Sequence, residues 1–518
     1  MRRTHAIPCG NGEALIEPPF DEWEGLVRRT AAAAAVWDVE VGGMPLSALR
    51  SDARADALRL AGETCRRLGI AFEVRDSSAP IVMTGHQPEL FHPGVWSKHF
   101  AIQKFADQHE ATPLDLVVDS DRCGRVSLRV PCVRERVRRH DVVLADGGDA
   151  CYGCVPAPSP EAIERFANEA LACAKTLPGD GPYERVQRFV GCLNDAVPRS
   201  RTIAEAVVVA RRSYETPAVS RYGEVFVTDQ AAASSFLRFA AHLVRDAQRF
   251  TTVFNDEVRA YRARRRVRSA AHPFPELSVA GGIAEVPLWV LVGGVRRRVA
   301  FEQATGSIHV EDHGVIEAGV DDVSVVRALE ASGLRILPRA VALTMFERLC
   351  VADLFVHGVG GSRYEFITDR VIERWLGVAA PPYAVVSLTM RLPVGSASAI
   401  DERIAELRRT LHVAKHNPDK LLDMALADPG ERARADAYVQ EKRDLIARAS
   451  EPGADKRAVG QAIRAVNARL EAAIRPFVAA VEEKIQRLEC ERGAHEALSD
   501  RECSFPLFDP LDVMDAVG

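Results

Sequence analysis

No run of this 518-residue chain approaches the roughly 20 consecutive apolar residues that a bilayer-spanning helix requires, so no membrane partner is expected. The opening MRRTHAIPCGNGE carries two arginines but no apolar h-region, which argues against a secretory signal and for the cytoplasm. Concentrated positive charge is also lacking. The net charge is −5, and the one dense basic stretch, Arg262–Arg268, continues a helical pattern and reads as a solvated helix face. No nucleic-acid partner is expected. A disulfide framework is excluded by an odd cysteine count, eleven, in a long chain where Cys65, Cys173 and Cys192 fall within helical patterns. Cys151 and Cys154 form a CxxC, but no second CxxC or CxxH lies nearby, and Cys123 and Cys132 match no zinc-module spacing. They read as reduced loop thiols, with no metal site.

What is present is a large apolar content, 47 %, enough for several domains rather than one. Helix and strand signals alternate as in an α/β protein. Two helices, Asp21–Ala35 and Leu46–Leu68, precede a strand at Ile81–Met83, a helix over Val95–Gln108 and a strand from Pro113 to Asp119 whose apolar run suits a parallel sheet. Further strand candidates follow at Val126–Val133 and Asp141–Ala145, before a Gly- and Pro-rich loop from Asp146 to Pro160. From Glu161 to about Arg268 the pattern is mostly helical. Its best element starts at Asp229, an N-cap candidate, and keeps apolar residues from Phe236 to Phe254.

Strand character returns at Val286–Val292 and Arg298–Phe301, then Ala340–Val351 (helix), Asp353–His357 (strand), Arg363–Leu376 (helix) and Tyr383–Leu388 (strand). The expected plan is a helical cover over residues 1–78, two halves of one mostly parallel core over 79–160 and 281–400, a mainly helical insertion over 161–280, and a helical domain over 401–518. In that last domain Arg432–Ala449 and a helix from Lys456 form an antiparallel hairpin. Apolar residues from Val459 to Leu488 step by three or four as in a coiled-coil seam, with a kink expected at Pro476. Such a seam points to a homodimer through the C-terminal helices. The closing CSFPLFDPLDVMD is apolar enough to dock on the body.

The densest chemical signal is IVMTGHQPELFHPGVWSKHFAIQKFAD, Ile81–Asp107. A strand, a glycine turn and a helix start compose an anion-binding geometry, because unpaired N–H groups and the helix dipole point at one place. Thr84, Gly85, Gln87 and Lys98 are candidate binding residues there, with His86 and His92 as candidate catalytic imidazoles. Asp119 and Asp121, at the next strand end, are candidate catalytic acids. The second signal places Gly358, Gly360 and Gly361 between a strand and a helix, backed by Arg363, Tyr364, Thr368 and Asp369. It lacks the third glycine of the dinucleotide fingerprint, whose place Arg363 takes. Both segments leave strand C-terminal ends, where open α/β sheets bind ligands.

TGHQPELFHPGVWSKHFAIQK resembles the TGQQxGLxxGPLYTIxKA segment of the bacillithiol-biosynthesis cysteine ligases, the BshC family. VVDSDRCGRV stands where that family has an acidic EDHD-type turn, and VHGVGGSRYEF where it has a GGPGE-Y loop. The likeness is scattered over roughly residues 80–490 and rests on motif order. It implies a Rossmann-like core with inserted segments and a helical dimerisation domain. The implied activity is ligase-type condensation of cysteine with an anionic amino-sugar acceptor, ATP or ADP being the cofactor left open. His86 replaces a glutamine, DSDR replaces EDHD, and GGSRY loses an acid and gains a cation, so the acceptor is open to change. The HQP segment is also similar to WbqC-like proteins over about twenty residues. A non-catalytic binding and assembly protein on the same fold is the alternative.

Overall fold

The structure is a computed structural model, and it describes residues 5–133, 137–215, 220–393 and 398–518. Residues 216–219, inside the stretch expected to be helical, lie outside the described residues. Two compact units divide the chain: Met1–Cys132, Arg139–Leu392 and Arg501–Gly518 form the first, Val133–Arg138 and Pro393–Asp500 the second.

The first unit is built on a six-stranded sheet of β1 (Glu13–Glu17), β2 (Ile81–His86), β3 (Thr112–Val117), β4 (Gly223–Phe226), β5 (Leu354–His357) and β6 (Tyr383–Thr389), in the order β1-β6-β5-β2-β3-β4. Five strands run parallel and only β1 is antiparallel, pairing with β6. Mixed α/β architecture follows from the apolar β2, β3, β5 and β6, buried on both faces and covered by helices. From β2 the chain steps outward to β3 and β4, while β5 returns to the other side of β2 and leads on to β6. The direction of winding therefore reverses between β2 and β5.

That central seam is closely tied. Thr84 Oγ1 donates to Val356 O at 2.8 Å across the two strands. Asp353 accepts from Ile81 N at 2.8 Å and pairs with Arg50 and Arg54, each at 2.6 Å, which locks the helix Leu46–Leu68 to the start of the sheet. Thr84 thus serves the core; it does not line the cavity, contrary to its expected binding role.

Several expectations need correction. Val286–Val292 and Arg298–Phe301 do not belong to the parallel sheet. They lie in the strands Ile283–Val292 and Val295–Glu302 of a separate eight-stranded sheet whose described pairings are antiparallel. The long strands Arg122–Val133 and Val137–Cys151, which contain the other two candidates, pair with each other in that same sheet. Their alternation fits one wetted face as well as a buried strand, and pattern alone does not assign a sheet. Within the stretch expected to be helical, β4 supplies a parallel strand of only four residues, too short for a periodicity signal. The helix expected from Asp229 is two helices, Ser234–Arg245 and Ala247–Arg265, joined at Asp246, and Asp229 sits in a short turn before them.

The second unit consists of the helices Ser398–His416, Pro429–Ala449, Lys456–Ala473 and Arg475–Leu498, with short turns between the first two. The helix expected through Pro476 breaks at Ile474, whose backbone leaves the helical region (φ −96°, ψ 10°). The apolar seam is covered within this unit: Val466, Leu470 and Ile474 pack with Ala414, Leu421, Leu422 and Ala435, and Val481 and Ile485 pack with Leu407. No helix among the described residues is long and apolar enough to cross a membrane.

Asp353 is the polar anchor of the parallel sheet. Asp353→Ala strands the buried Arg50 without its carboxylate, and is expected to lower stability by about 3 kcal/mol or more in urea unfolding, against under 1 kcal/mol for removal of an exposed pair such as Arg28–Glu24.

Candidate functional site

A cavity of about 790 Å³ opens at the C-terminal ends of β2 and β5, where the winding reverses. Its floor is Gly85 and His86 from β2, Lys98 from the helix Pro93–His109, and the turn after β5. The facing wall comes from the antiparallel sheet through Glu285, Trp289, Arg296 and Arg298, and Arg501 and Glu502 also line it. Open α/β sheets place ligands in this position because adjacent loops diverge there and leave a crevice.

The structure brings together most of the expected residues: Gly85, His86, Gln87, His92, Lys98, Asp121, Gly358, Gly360, Gly361 and Arg363 all line the cavity. Lys98 is 2 % exposed, and its Nζ donates to Gly85 O at 2.7 Å, which leaves further N–H donors of the ammonium for a ligand. Burial pulls its pKa down to about 8, against the pull of Asp115. Asp115 itself is engaged by His99 at 3.1 Å and Arg211 at 3.0 Å, and those partners hold its carboxyl well below the usual carboxylate range.

The two histidines are held uncharged. His92 caps its helix, Nδ1 accepting from Gly94 N at 3.0 Å, so the proton of the neutral ring sits on Nε2, 3.5 Å from Glu502. The ring of His86 stands edge-on to Phe91, and its Nδ1 lies 3.1 Å from Gln87 O. Burial, reinforced by Lys98 at His86 and by Arg501 at His92, depresses both pKa values to about 3. Both are neutral hydrogen-bonding groups rather than imidazolium donors.

The acids separate. Asp121 lines the cavity but is engaged, its Oδ1 with Arg296 at 2.6 Å and its Oδ2 with Gln87 Nε2 at 2.9 Å. Asp119 does not line it. Its carboxylate accepts from Thr228 N at 2.9 Å and meets the Thr228 hydroxyl, and burial raises its pKa to about 7. Its expected catalytic place is therefore corrected to a structural tie.

Tyr364, Thr368 and Asp369 are also absent from the lining. Asp369 pairs with the buried Arg348 at 2.6 Å, Thr368 lies 3.5 Å from Glu365, and Tyr364 packs its ring against Phe274. Cys151, buried, donates to Ser120 O at 3.2 Å, and Cys154 is half-buried. Among the described residues no three His, Cys, Asp or Glu side chains are grouped to hold a metal ion.

Sequence reading missed His357, Trp289, Arg296, Arg298, Arg339 and Arg501. The alternation of Arg296 and Arg298 along one strand face was a usable signal, as was the position of His357 at a strand end beside the glycine turn. Arg501, far away in sequence, gave none. Arg339 lies over the Trp289 ring, 3.9 Å from its centroid, and donates to Glu285 at 2.7 Å.

The charge balance of the lining decides what the cavity accepts. Six Lys or Arg side chains face four Asp or Glu. Each acid already has a cation: Asp121 has Arg296, Glu285 has Arg339, Glu502 has Arg501, and Glu276 has Arg259 and Arg262. Among the described residues Lys98, Arg298 and Arg363 have no carboxylate within ion-pair distance. Lys98 is buried while Arg298 and Arg363 are exposed, and three cations without a carboxylate in contact, gathered at one opening, favour an anion. Neither a protein-family model nor a curated protein matches the chain.

The neutral histidines make a pH prediction. Their folded-state pKa values of about 3 lie below the ordinary 6.5, so in that window the unfolded chain binds the protons and stability falls as pH falls from about 6.5 toward 3. In urea unfolding across that window, His86→Gln is expected to flatten the acid-side loss by a few kcal/mol relative to the parent. An unchanged slope would show that His86 protonates as readily when folded.

Proposed function

We propose that this chain is a group-transfer enzyme of the ligase type that binds an anionic small molecule in the cavity and forms a carbon–nitrogen bond to it. The reading follows the resemblance to the BshC family: cysteine or a related amino acid joined to an anionic amino-sugar-type acceptor, in the cytoplasm, where eleven thiols stay reduced. Numbered in chain order, the five parallel strands stand 3-2-1-4-5, the order of Rossmann-like cores that bind ligands at the reversal, which supports the resemblance at the level of fold. ATP or ADP is a candidate for the same position.

The observation that carries the reading is the set Lys98, Arg298 and Arg363, three cations without a carboxylate at one mouth of the sheet. In this assignment Lys98, the Gly358–Gly361 turn and Arg363 directly after it take the anionic group from one side, Arg298 from the facing wall, and neutral His86 and His92 supply hydrogen bonds that need no proton release. Gln87, Asp121 and Arg296 form a fixed polar edge that orients the ligand.

One observation favours the non-catalytic alternative: both acids singled out as catalytic are engaged, Asp119 by Thr228 and Asp121 by Arg296. A WbqC-like role in glycan metabolism stands beside it. Turnover of cysteine with glucosaminyl-malate separates the two classes, because a binding protein gives ligand-induced stabilisation without product.

Binding is tested by thermal shift with malate, pyrophosphate and ATP, a ligand of the folded state raising the melting temperature by mass action. Lys98→Met and Arg363→Ala are each expected to weaken the stabilising anion tenfold or more. Affinity is expected to fall as pH rises through about 8, where Lys98 loses its proton. Stabilisation that survives both substitutions refutes the assignment.

Self-association is a separate proposal. It rests on Ile446, 49 % exposed, and on the half-buried Val478 and Leu488 of the helical unit. Light scattering of the full chain is expected to give twice its 56.6 kDa, and a single-chain mass removes the homodimer.

A further inference from the structure

His357 ends β5 and lines the cavity while only 6 % exposed. Its ring packs between Phe355, at 4.6 Å, and Tyr383, at 5.2 Å, a place any apolar ring could fill. The imidazole is nevertheless left without a hydrogen bond. Nε2 is sealed and unpartnered, 3.7 Å from Glu365 Oε2. Nδ1 is not among the sealed atoms and lies 3.4 Å from where a Cβ on Gly361 would stand, so it is the ring atom turned to the glycine turn and the cavity. A sealed ring nitrogen without a hydrogen-bond partner, as Nε2 is, costs about 1–3 kcal/mol and calls for a reason beyond packing.

The surroundings supply one. Glu365, 3 % exposed, is fixed by Arg348, which also holds Asp369 at 2.6 Å and meets Pro381 O. A carboxylate held in this way can orient Nε2–H and leave the Nδ1 lone pair facing the ligand, the relation that activates a general base, and such bonds are often long until a ligand closes the site.

We propose that His357 is the general base of this cavity, accepting at Nδ1 the proton of a bound amine, with Glu365 as the positioning residue behind it. The inference rests on the carbon–nitrogen bond-forming reading above. In that step the amine lone pair forms the bond to the carbonyl carbon of an activated carboxyl. The bond from that carbon to its oxygen leaving group breaks, with the electron pair going to the oxygen. The amine proton passes to Nδ1, and the imidazolium is stabilised by Glu365. In the free protein burial, then Arg348 and Lys98, keep His357 neutral, so its lone pair is available. An anion on Lys98 offsets one of those two charges, so ligand binding strengthens the base where it is needed.

The test is ¹⁵N NMR of the histidine-labelled full chain, with His357→Gln assigning the signal. The free protein at pH 7 is expected to carry the proton on Nε2 and none on Nδ1. Saturating pyrophosphate is expected to raise the His357 midpoint by one pH unit or more, and Glu365→Gln to lower the midpoint in the free and the bound protein alike. A proton on Nδ1 in the free protein overturns the proposal, as does a midpoint unmoved by pyrophosphate that thermal shift shows to be bound. If pyrophosphate does not bind, the anion-cavity reading fails, and the tautomer of the free protein still decides the orientation on which the base depends.

Discussion

Two strands far apart in sequence, Ile81–His86 and Leu354–His357, lie side by side, and the site exists because they do. Their neighbours lead away in opposite directions, so the loops leaving their C-terminal ends diverge and a crevice opens above the seam. The join is held below by the Asp353 carboxylate, which satisfies Ile81 N and two arginines, and in the middle by the Thr84 hydroxyl on Val356 O. The strand ends then deliver Gly85, His86 and His357 to one cavity, with Lys98 reaching back to Gly85 O. A change at the seam would disturb every residue of the floor together.

Around that floor, the charges of the lining are unevenly paired. Burial keeps the imidazoles uncharged, while the acids of the lining are already committed to arginines. What remains is cationic, with Lys98 in the floor and Arg298 on the facing wall. Lys98 is buried with Asp115 nearby but with no carboxylate in ion-pair contact, so its ammonium keeps N–H donors for a ligand.

The parts of the fold legible in sequence were those with strong local signals. The apolar runs at Ile81, Leu114, Leu354 and Tyr383 were readable as parallel strands, and these four are adjacent in the sheet. Gly223–Phe226 was too short to register among helices, and the sheet membership of Val286–Val292 depends on long-range pairing that periodicity does not encode. At the site, the glycine turns and the histidines were visible because a strand, a turn and a helix start lie together in sequence. What a residue does with its side chain was not. Thr84, Asp119 and Asp369 have the right chemistry but are engaged by Val356, Thr228 and Arg348, partners between about 20 and 270 residues away. His357 went unnoticed because its significance lies in missing partners, a property of packing.

The central claim is that the crevice between these two strands holds an anion on Lys98. Diffraction from crystals soaked in bromide reads this without any assumption about the reaction, since the anomalous signal reports the position of the anion. The account predicts a bromide within contact distance of Lys98 Nζ, beside the Gly358–Gly361 turn, that disappears in Lys98→Met crystals. Bromide found only on the exposed surface, with the floor of the cavity empty at the same concentration, would contradict it.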